Sequence, residues 1–182
     1  KAIYEKAAGS NVVISARRPN DELEVSNQKD GKVAASWELT IVAGNKYISS
    51  FNGGISVINF PAPTPAMDQK PDNIVMFNVK ADGTIIKTLP NCHYSTVDKT
   101  ITFSTRSYYE SFGIGYNTVE FGDVKPTDWF YSAINFAGAR KIAQGYNGNV
   151  NPDSNITRAD FLILLMRTFE IDPSADYNMY NF

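Results

Sequence analysis

The chain has 182 residues, of which 43% are apolar, 13% aromatic and 20% charged, with a formal net charge of −2. This apolar fraction predicts a packed core and excludes a wholly disordered chain. The length fits one or two domains. Because the basic residues are scattered rather than clustered, the sequence lacks the charged surface that nucleic-acid-binding proteins show.

Cysteine and histidine each occur once, as the neighbours Cys92 and His93. A single cysteine excludes an intrachain disulfide and a multi-cysteine metal site, and a single histidine excludes a two-histidine zinc site. In a strand, neighbouring side chains point to opposite faces, so this pair cannot act as nucleophile and base. No glycine-rich phosphate loop occurs either. We therefore expect no enzymatic activity, no cofactor and no metal site.

The apolar runs of the sequence indicate whether the chain crosses a membrane, and its two ends indicate whether it is part of a longer protein. The longest uninterrupted apolar run covers residues 161–166, whereas a membrane-spanning helix needs about 20 residues. We therefore expect no membrane span. The sequence begins at Lys1 without a methionine and stops at Phe182, so we expect both ends to be cut from a longer protein.

The first two thirds of the chain are rich in β-forming runs. Residues 1–8 are typical of the end of a helix, with Gly9 at its C-cap. Short β-rich runs then follow at residues 11–17, 36–42 and 55–60, separated by turn-forming residues. The proline-rich residues 61–65 predict an extended connector, which cannot be a central strand.

A hairpin is the clearest β feature. Residues 74–80 and 84–89 are predicted as paired strands joined by a turn at Asp82-Gly83. The alternation in the first strand predicts that three side chains share one face: Val75, Phe77 and Val79.

Two further strands complete the predicted β domain, at residues 99–105 and 112–116. Ile101 and Phe103 are expected to point inward from the first of them. Regular short strands with turns between them favour a sandwich-like all-β domain over residues 1–117.

Helical periodicity begins after Asn117. Residues 129–142 are predicted as an amphipathic helix. Its apolar side is expected to carry Trp129, Phe130, Ala133, Ile134, Phe136 and Ala137, and its polar side Tyr131, Ser132, Asn135 and Gly138.

A second helix is predicted from Thr157, whose spacing to Asp160 is that of a capping box. Residues 161–166 make this helix apolar almost all round, so it needs packing partners on several sides. Pro173 is expected to end it. The apolar helix, residues 157–169, is therefore also a candidate surface for self-association or for packing of neighbouring repeats.

Six short motifs in the last third of the chain together resemble one S-layer homology repeat. In chain order they are Phe121-Gly122-Asp123-Val124, Trp129, Tyr131-Ser132-Ala133-Ile134, Gly145-Tyr146, Asn151-Pro152-Asp153 and Ile156-Thr157-Arg158-Ala159-Asp160-Phe161. The family usually has Glu where this chain has Asp160. It also usually works as three tandem repeats, whereas this chain has one, at residues 118–182, with residues 180–182 resembling the start of a second.

The resemblance implies non-covalent anchoring of an exported protein to the cell wall. The implied ligand is an anionic secondary cell-wall polysaccharide, often carrying a pyruvate ketal. Arg158 maps to the expected carboxylate contact. Asp123, Trp129 and Gly145 map to positions that shape the binding groove.

The residues themselves leave alternatives open. Arg158 falls in the first turn of a helix, where free amides favour an anion and a guanidinium suits a carboxylate. Asp123 fits a turn or helix cap equally well, and core packing explains Trp129 more simply than a sugar platform does.

The sequence thus predicts an α+β multidomain chain with a β-rich domain followed by a small helical repeat. We expect a secreted protein of a Gram-positive-type cell wall or S-layer, with the β domain as spacer or support. One alternative is a carbohydrate-binding β module that the helical repeat covers. Another is a protein–protein scaffold element.

Overall fold

The structure is a computed structural model that describes residues 12–17, 32–48, 55–62, 70–80, 84–105 and 111–171. The helix end predicted at residues 1–9, the turn at Asp82-Gly83, the helix stop at Pro173 and the repeat start at residues 180–182 lie outside these ranges. The strands within them are β1 (Val12–Arg17), β2 (Lys32–Ala43), β3 (Lys46–Tyr47), β4 (Ser56–Pro61), β5 (Ile74–Val79), β6 (Ile85–Leu89), β7 (Cys92–Ser95), β8 (Thr100–Thr105) and β9 (Ser111–Tyr116). A 3-10 turn at Pro71–Asn73 precedes β5, and two helices follow, α1 (Tyr131–Ala139) and α2 (Arg158–Thr168).

The strands form two antiparallel sheets. The larger has the order β1-β2-β9-β5-β6, with the short β3 paired to β2, and the smaller has the order β4-β8-β7. The register of the predicted hairpin is set by pairs such as Met76 with Leu89 in β5 and β6. The α+β fold with a sandwich-like β region is confirmed.

An aromatic cluster joins the two sheets. Phe60 of the smaller sheet stacks on Trp37 of the larger sheet, with ring centroids 5.1 Å apart. Phe103 lies against Phe112 in a tilted arrangement, with ring centroids 4.9 Å apart. Buried aromatic pairs of this geometry add about 0.5–1.5 kcal/mol each beyond the area that they bury. The sandwich core is therefore centred on these four rings.

Inward and outward side chains alternate as predicted in β8 and β7. Ile101 and Phe103 are fully buried, and Cys92 is buried whereas its neighbour His93 is exposed. In β5, by contrast, all six side chains are buried. The predicted face of Val75, Phe77 and Val79 is therefore only part of the buried surface, because Ile74, Met76 and Asn78 on the opposite face are buried as well.

Proline occurs at an edge of the smaller sheet, where the sequence predicts the start of an extended connector at residues 61–65. Pro61 is the last residue of β4, where it pairs with Thr100. Because β4 has a neighbour on one side only, the missing amide hydrogen of Pro61 breaks no ladder within a central strand.

Helix α1 is shorter than predicted, and part of its predicted apolar side is exposed. Trp129 precedes the helix and is 93% exposed, and Ala133 is also exposed. The buried positions are Gly138 and Ala139 near the end of the helix. The predicted assignment of sides is therefore wrong at Trp129, Ala133 and Gly138, whereas the other four predicted apolar residues are half-buried: Phe130, Ile134, Phe136 and Ala137.

Arg140 fastens the end of α1 to the β region. This side chain is 1% exposed, and its guanidinium donates to the carbonyl oxygens of Cys92 (3.0 Å), Asp72 (2.7 Å) and Ile74 (3.2 Å). The guanidinium also covers the Phe136 ring at 3.5 Å from its centroid. Burial lowers the pKa of Arg140, although the group stays charged at any physiological pH.

Two more hydrogen bonds cross the same junction, and a third supports it from within the β region. Ser132 Oγ donates to Asp72 Oδ2 at 2.7 Å, and Asn117 Nδ2 donates to the carbonyl of Ala139 at 2.6 Å. The Asn117 amide also donates to the carbonyl of Asn73 at 3.0 Å. These contacts fix α1 on the β region.

Helix α2 is attached mainly through its C-terminal end. Arg167 Nη1 donates to the carbonyl of Ile142 at 3.1 Å. Just after the helix, Glu170 Oε2 accepts from the Thr105 hydroxyl at 3.1 Å, and Glu170 Oε1 lies 3.2 Å from Lys87 Nζ. None of the residues of α2 is buried. In the part of the chain that the structure describes, no helix is long and apolar enough to cross a membrane.

Candidate functional site

The start of α2 is fixed by its N-cap. The Thr157 hydroxyl accepts from the Asp160 amide at 3.1 Å, which satisfies one of the free amides of the first turn. The same hydroxyl donates to Asp160 Oδ2 at 2.6 Å. The cap therefore places the first helical residue, Arg158, at a defined point on the surface.

Arg158 is exposed at the positive end of the helix dipole. Its guanidinium makes no hydrogen bond or ion pair with another described residue. A cation at this end of a helix does not stabilise the helix, since the dipole there favours negative charge. The guanidinium and the free amides of the first turn can instead act together on an anion.

Asp123 holds the loop that leads to α2. Its carboxylate accepts from the amides of Val150, at 3.0 Å, and Asn151, at 2.6 Å. Partial desolvation raises the pKa of Asp123, but these amide hydrogen bonds outweigh it and the pKa is lowered. The carboxylate thus binds backbone amides 27 and 28 residues later in its own chain.

Gly145 lies in the same loop in a left-handed conformation, with φ of +64°. A Cβ atom there would lie 2.5 Å from the carbonyl oxygen of Asn149 and 2.8 Å from the Phe121 ring. Only glycine fits this close approach without strain.

A two-residue hairpin turn follows Gly145, and sequence reasoning missed it. Tyr146 and Asn149 exchange two backbone hydrogen bonds, of 2.7 and 3.0 Å, around Asn147 and Gly148. Both central residues have positive φ, which is the geometry that an Asn-Gly pair favours in tight turns. The Asn-Gly dipeptide was the signal that could have identified it.

Trp129 stands at the surface beside a shallow cavity. The Trp129 ring meets Phe130 edge-on at 5.5 Å, and its 93% exposure shows that the core interpretation of this residue is wrong. The cavity has a volume of about 420 Å³. Its lining residues are Asp123, Lys125, Asp128, Phe130, Asn151, Pro152, Asp153 and Ser154. Because its lining has three carboxylates and one lysine, this cavity disfavours an anion.

The structure therefore brings some of the predicted site residues together. Asp123 and Gly145 fix one loop, and Phe130 connects Trp129 to the cavity that Asp123 lines. None of these contacts includes Arg158. The groups that can bind an anion lie at the first turn of α2, whereas the exposed aromatic ring of Trp129 lies elsewhere, beside the cavity.

Helix α2 also presents a large apolar surface. Phe161, Leu162, Ile163 and Leu165 are each 40–55% exposed, and Phe169 just beyond the helix is 50% exposed. Exposed apolar patches of this kind mark interaction surfaces. Among the described residues, no group of three or more His, Cys, Asp or Glu side chains could hold a metal ion.

Comparisons with known proteins concern this C-terminal part of the chain. The sequence model of the S-layer homology domain matches residues 120–162. An amylopullulanase of Thermoanaerobacterium thermosulfurigenes is 38% identical over 52 residues, which are 29% of this chain and 3% of that protein. The chain thus spans only a small part of this relative's length. No solved structure matches the chain.

The order of the motifs, the capped helix and the family match agree on one assignment. The domain found here is an anchoring module, which indicates attachment to the cell surface. Residues 120–162 are an S-layer homology domain, and in this chain the domain follows an all-β region.

Proposed function

We propose that the chain anchors a secreted bacterial surface protein to the cell wall by binding an anionic secondary cell-wall polysaccharide. The observation that carries this proposal is Arg158, an exposed arginine at the capped start of α2 without a partner among the described residues. The chain contributes binding and no catalytic chemistry of its own.

Arg158 binds a carboxylate of the polysaccharide through its planar guanidinium. Two parallel N–H···O bonds to a carboxylate are possible for arginine, and the first-turn amides of α2 add to the attraction. Trp129 offers an exposed ring on which a sugar can stack. Asp123 and Gly145 act indirectly, since they hold the loop between the two helices in place.

Replacing Arg158 with Gln should weaken retention of the full-length protein on purified wall sacculi by about tenfold or more, the loss expected for one charge-assisted hydrogen bond. Retention is measured by co-sedimentation over a range of sacculus concentrations. The matched control is Lys46→Gln, which removes an exposed positive charge from β3.

Equal retention of Arg158→Gln and the parent protein would contradict the proposed contact. Equal losses in Arg158→Gln and Lys46→Gln would also contradict it, because they would indicate a nonspecific effect of net charge. The proposal requires that the loss be confined to Arg158→Gln.

The β domain, proposed as residues 1–117, acts as a spacer and support for the anchoring repeat at 118–182. Asn117 lies at the proposed boundary, and it is buried with hydrogen bonds to both sides, to Asn73 and Ala139. The support consists of these bonds and of Arg140, which together hold α1 on the sheet.

The exposed apolar side of α2 packs against another S-layer homology repeat or a second copy of the chain. The double replacement Phe161→Gln and Leu162→Gln should then shift the 182-residue chain from associated to monomeric species, because it removes the two most exposed apolar side chains of the helix. Sedimentation velocity at several concentrations measures the shift. The control Ile86→Gln, at an exposed apolar position of β6, should leave association unchanged.

A parent chain that stays monomeric at the highest concentration tested would contradict self-association through α2. A double variant that associates as strongly as the parent would contradict it equally.

A further inference from the structure

A groove runs along the junction between the β region and the S-layer homology domain. It consists of two cavities, of about 300 and 250 Å³, that share Glu120, Tyr131 and Asn135 in their lining. The larger cavity is also lined by residues of the β region, among them Lys70, Asn73 and Tyr116. Its volume falls at the lower end of the range of small-ligand pockets, which begins at roughly 300 Å³.

We propose that this junction groove binds a neutral saccharide, as a second site separate from Arg158. The proposal rests on the groove's own lining and does not depend on the anchoring function.

The lining has the chemistry that sugar recognition needs. Tyr116 provides an aromatic ring for the apolar C–H face of a sugar, and Tyr131 adds a second ring, one face of which Lys70 covers. The amides of Asn73 and Asn135 can both donate to and accept from hydroxyl groups, and the Glu120 carboxylate can accept from them.

The charge of the groove favours a neutral ligand over an acidic one. Its lining contains one cation, Lys70, and one anion, Glu120. Lys70 is already engaged, because its Nζ donates to the Tyr131 hydroxyl at 3.1 Å and lies 4.2 Å from the centroid of that ring. An acidic sugar would thus meet the Glu120 carboxylate without an unengaged cation opposite it.

The two walls of the groove are held in a fixed relation. Ser132 in α1 is bonded to Asp72 beside Asn73, and Arg140 ties the end of α1 to the same 3-10 turn. The hydrogen bonds of the Tyr131 hydroxyl with Lys70 and Asn135 lower the pKa of Tyr131. Because the groove is already formed, no conformational entropy is lost in ordering its walls when the ligand binds.

The test is an amide NMR titration of the ¹⁵N-labelled 182-residue chain with the N-acetylglucosamine disaccharide chitobiose. Shift changes should be confined to residues near 70–73, 116–120 and 131–135. Asn135→Ala should weaken binding about tenfold, since one amide contact to the sugar is lost. The matched control Asn155→Ala, at an exposed loop position, should bind as the parent does. An acidic disaccharide of similar size, glucuronate linked to N-acetylglucosamine, should bind more weakly than chitobiose.

Three outcomes would overturn the proposal: no shift changes with chitobiose, changes that map away from the groove, or equal affinity of Asn135→Ala and the parent. Arg158→Gln should leave chitobiose binding unchanged. The failure of this site and the failure of anchoring through Arg158 are therefore separate results.

Discussion

Replacing Arg140 with Met should lower the free energy of unfolding by about 3–5 kcal/mol. The carbonyl oxygens of Cys92, Asp72 and Ile74 would each lose a charged donor in a part of the structure that water does not reach freely, and an unsatisfied buried polar group costs about 1–3 kcal/mol. Methionine retains much of the apolar volume, so the effect reports mainly on the hydrogen bonds. Urea unfolding followed by circular dichroism measures it.

Two further variants make this test specific. Arg158→Met removes an exposed arginine of the same domain, and it should change stability by less than about 0.5 kcal/mol. Arg140→Lys keeps the charge but lacks the planar fork that reaches three carbonyls, so its loss should be intermediate. A loss below about 1 kcal/mol in Arg140→Met would contradict the role of Arg140 as the main fastening of α1 to the β region.

Replacing Gly145 with Ala should destabilise the protein by about 2–4 kcal/mol, a cost typical of strain at a special backbone position. The residue has φ of +64°, and the added methyl group would lie 2.5 Å from the backbone oxygen of Asn149. The backbone of the loop would have to move, which would also disturb the hydrogen bonds between Asp123 and the amides of Val150 and Asn151. Thermal unfolding followed by circular dichroism measures the loss.

Gly148→Ala is the matched control for this prediction. Gly148 also has a positive φ, of +78°, but a Cβ atom there would meet nothing within 4 Å. Its replacement should lower the free energy of unfolding by about 1 kcal/mol, because alanine is strained in the left-handed conformation. If the two variants were equally stable, the close contact at Gly145 would not be the cause of its requirement for glycine.

The features that the sequence predicted well are local in origin. The hairpin of β5 and β6, the alternation in β8 and the positions of both helices follow from short-range periodicity and from turn-forming residues. The capping contact of Thr157 with Asp160 involves residues three apart, so the spacing alone indicates it. Arg158 could be singled out because it directly follows that cap.

The features that the sequence did not reveal depend on distant partners. The packed side of α1 is decided by Arg140, whose acceptors lie 48 to 68 residues earlier in the chain. Nothing in the periodicity of a helix indicates that an arginine at its end will be buried against a sheet. The full burial of β5 likewise depends on distant segments, since Met76 contacts Cys92 of β7 and Ile74 contacts Arg140.

The same distinction applies to the candidate site. The resemblance to the S-layer homology repeat indicated Asp123 and Trp129, but their surroundings come only from the structure. Asp123 is engaged by two backbone amides, and Trp129 is exposed rather than packed in the core. The junction groove could not be found from sequence, because its walls come from segments about 60 residues apart, at Asn73 and Asn135.

Sedimentation of the full-length protein with wall sacculi, before and after the secondary polysaccharide is extracted with acid, tests the anchoring function most directly. If the repeat binds acidic sugars through Arg158, the protein should co-sediment with intact sacculi. It should remain in the supernatant with sacculi from which the polysaccharide has been extracted. Binding that is undiminished on sacculi stripped of this polymer would contradict the account.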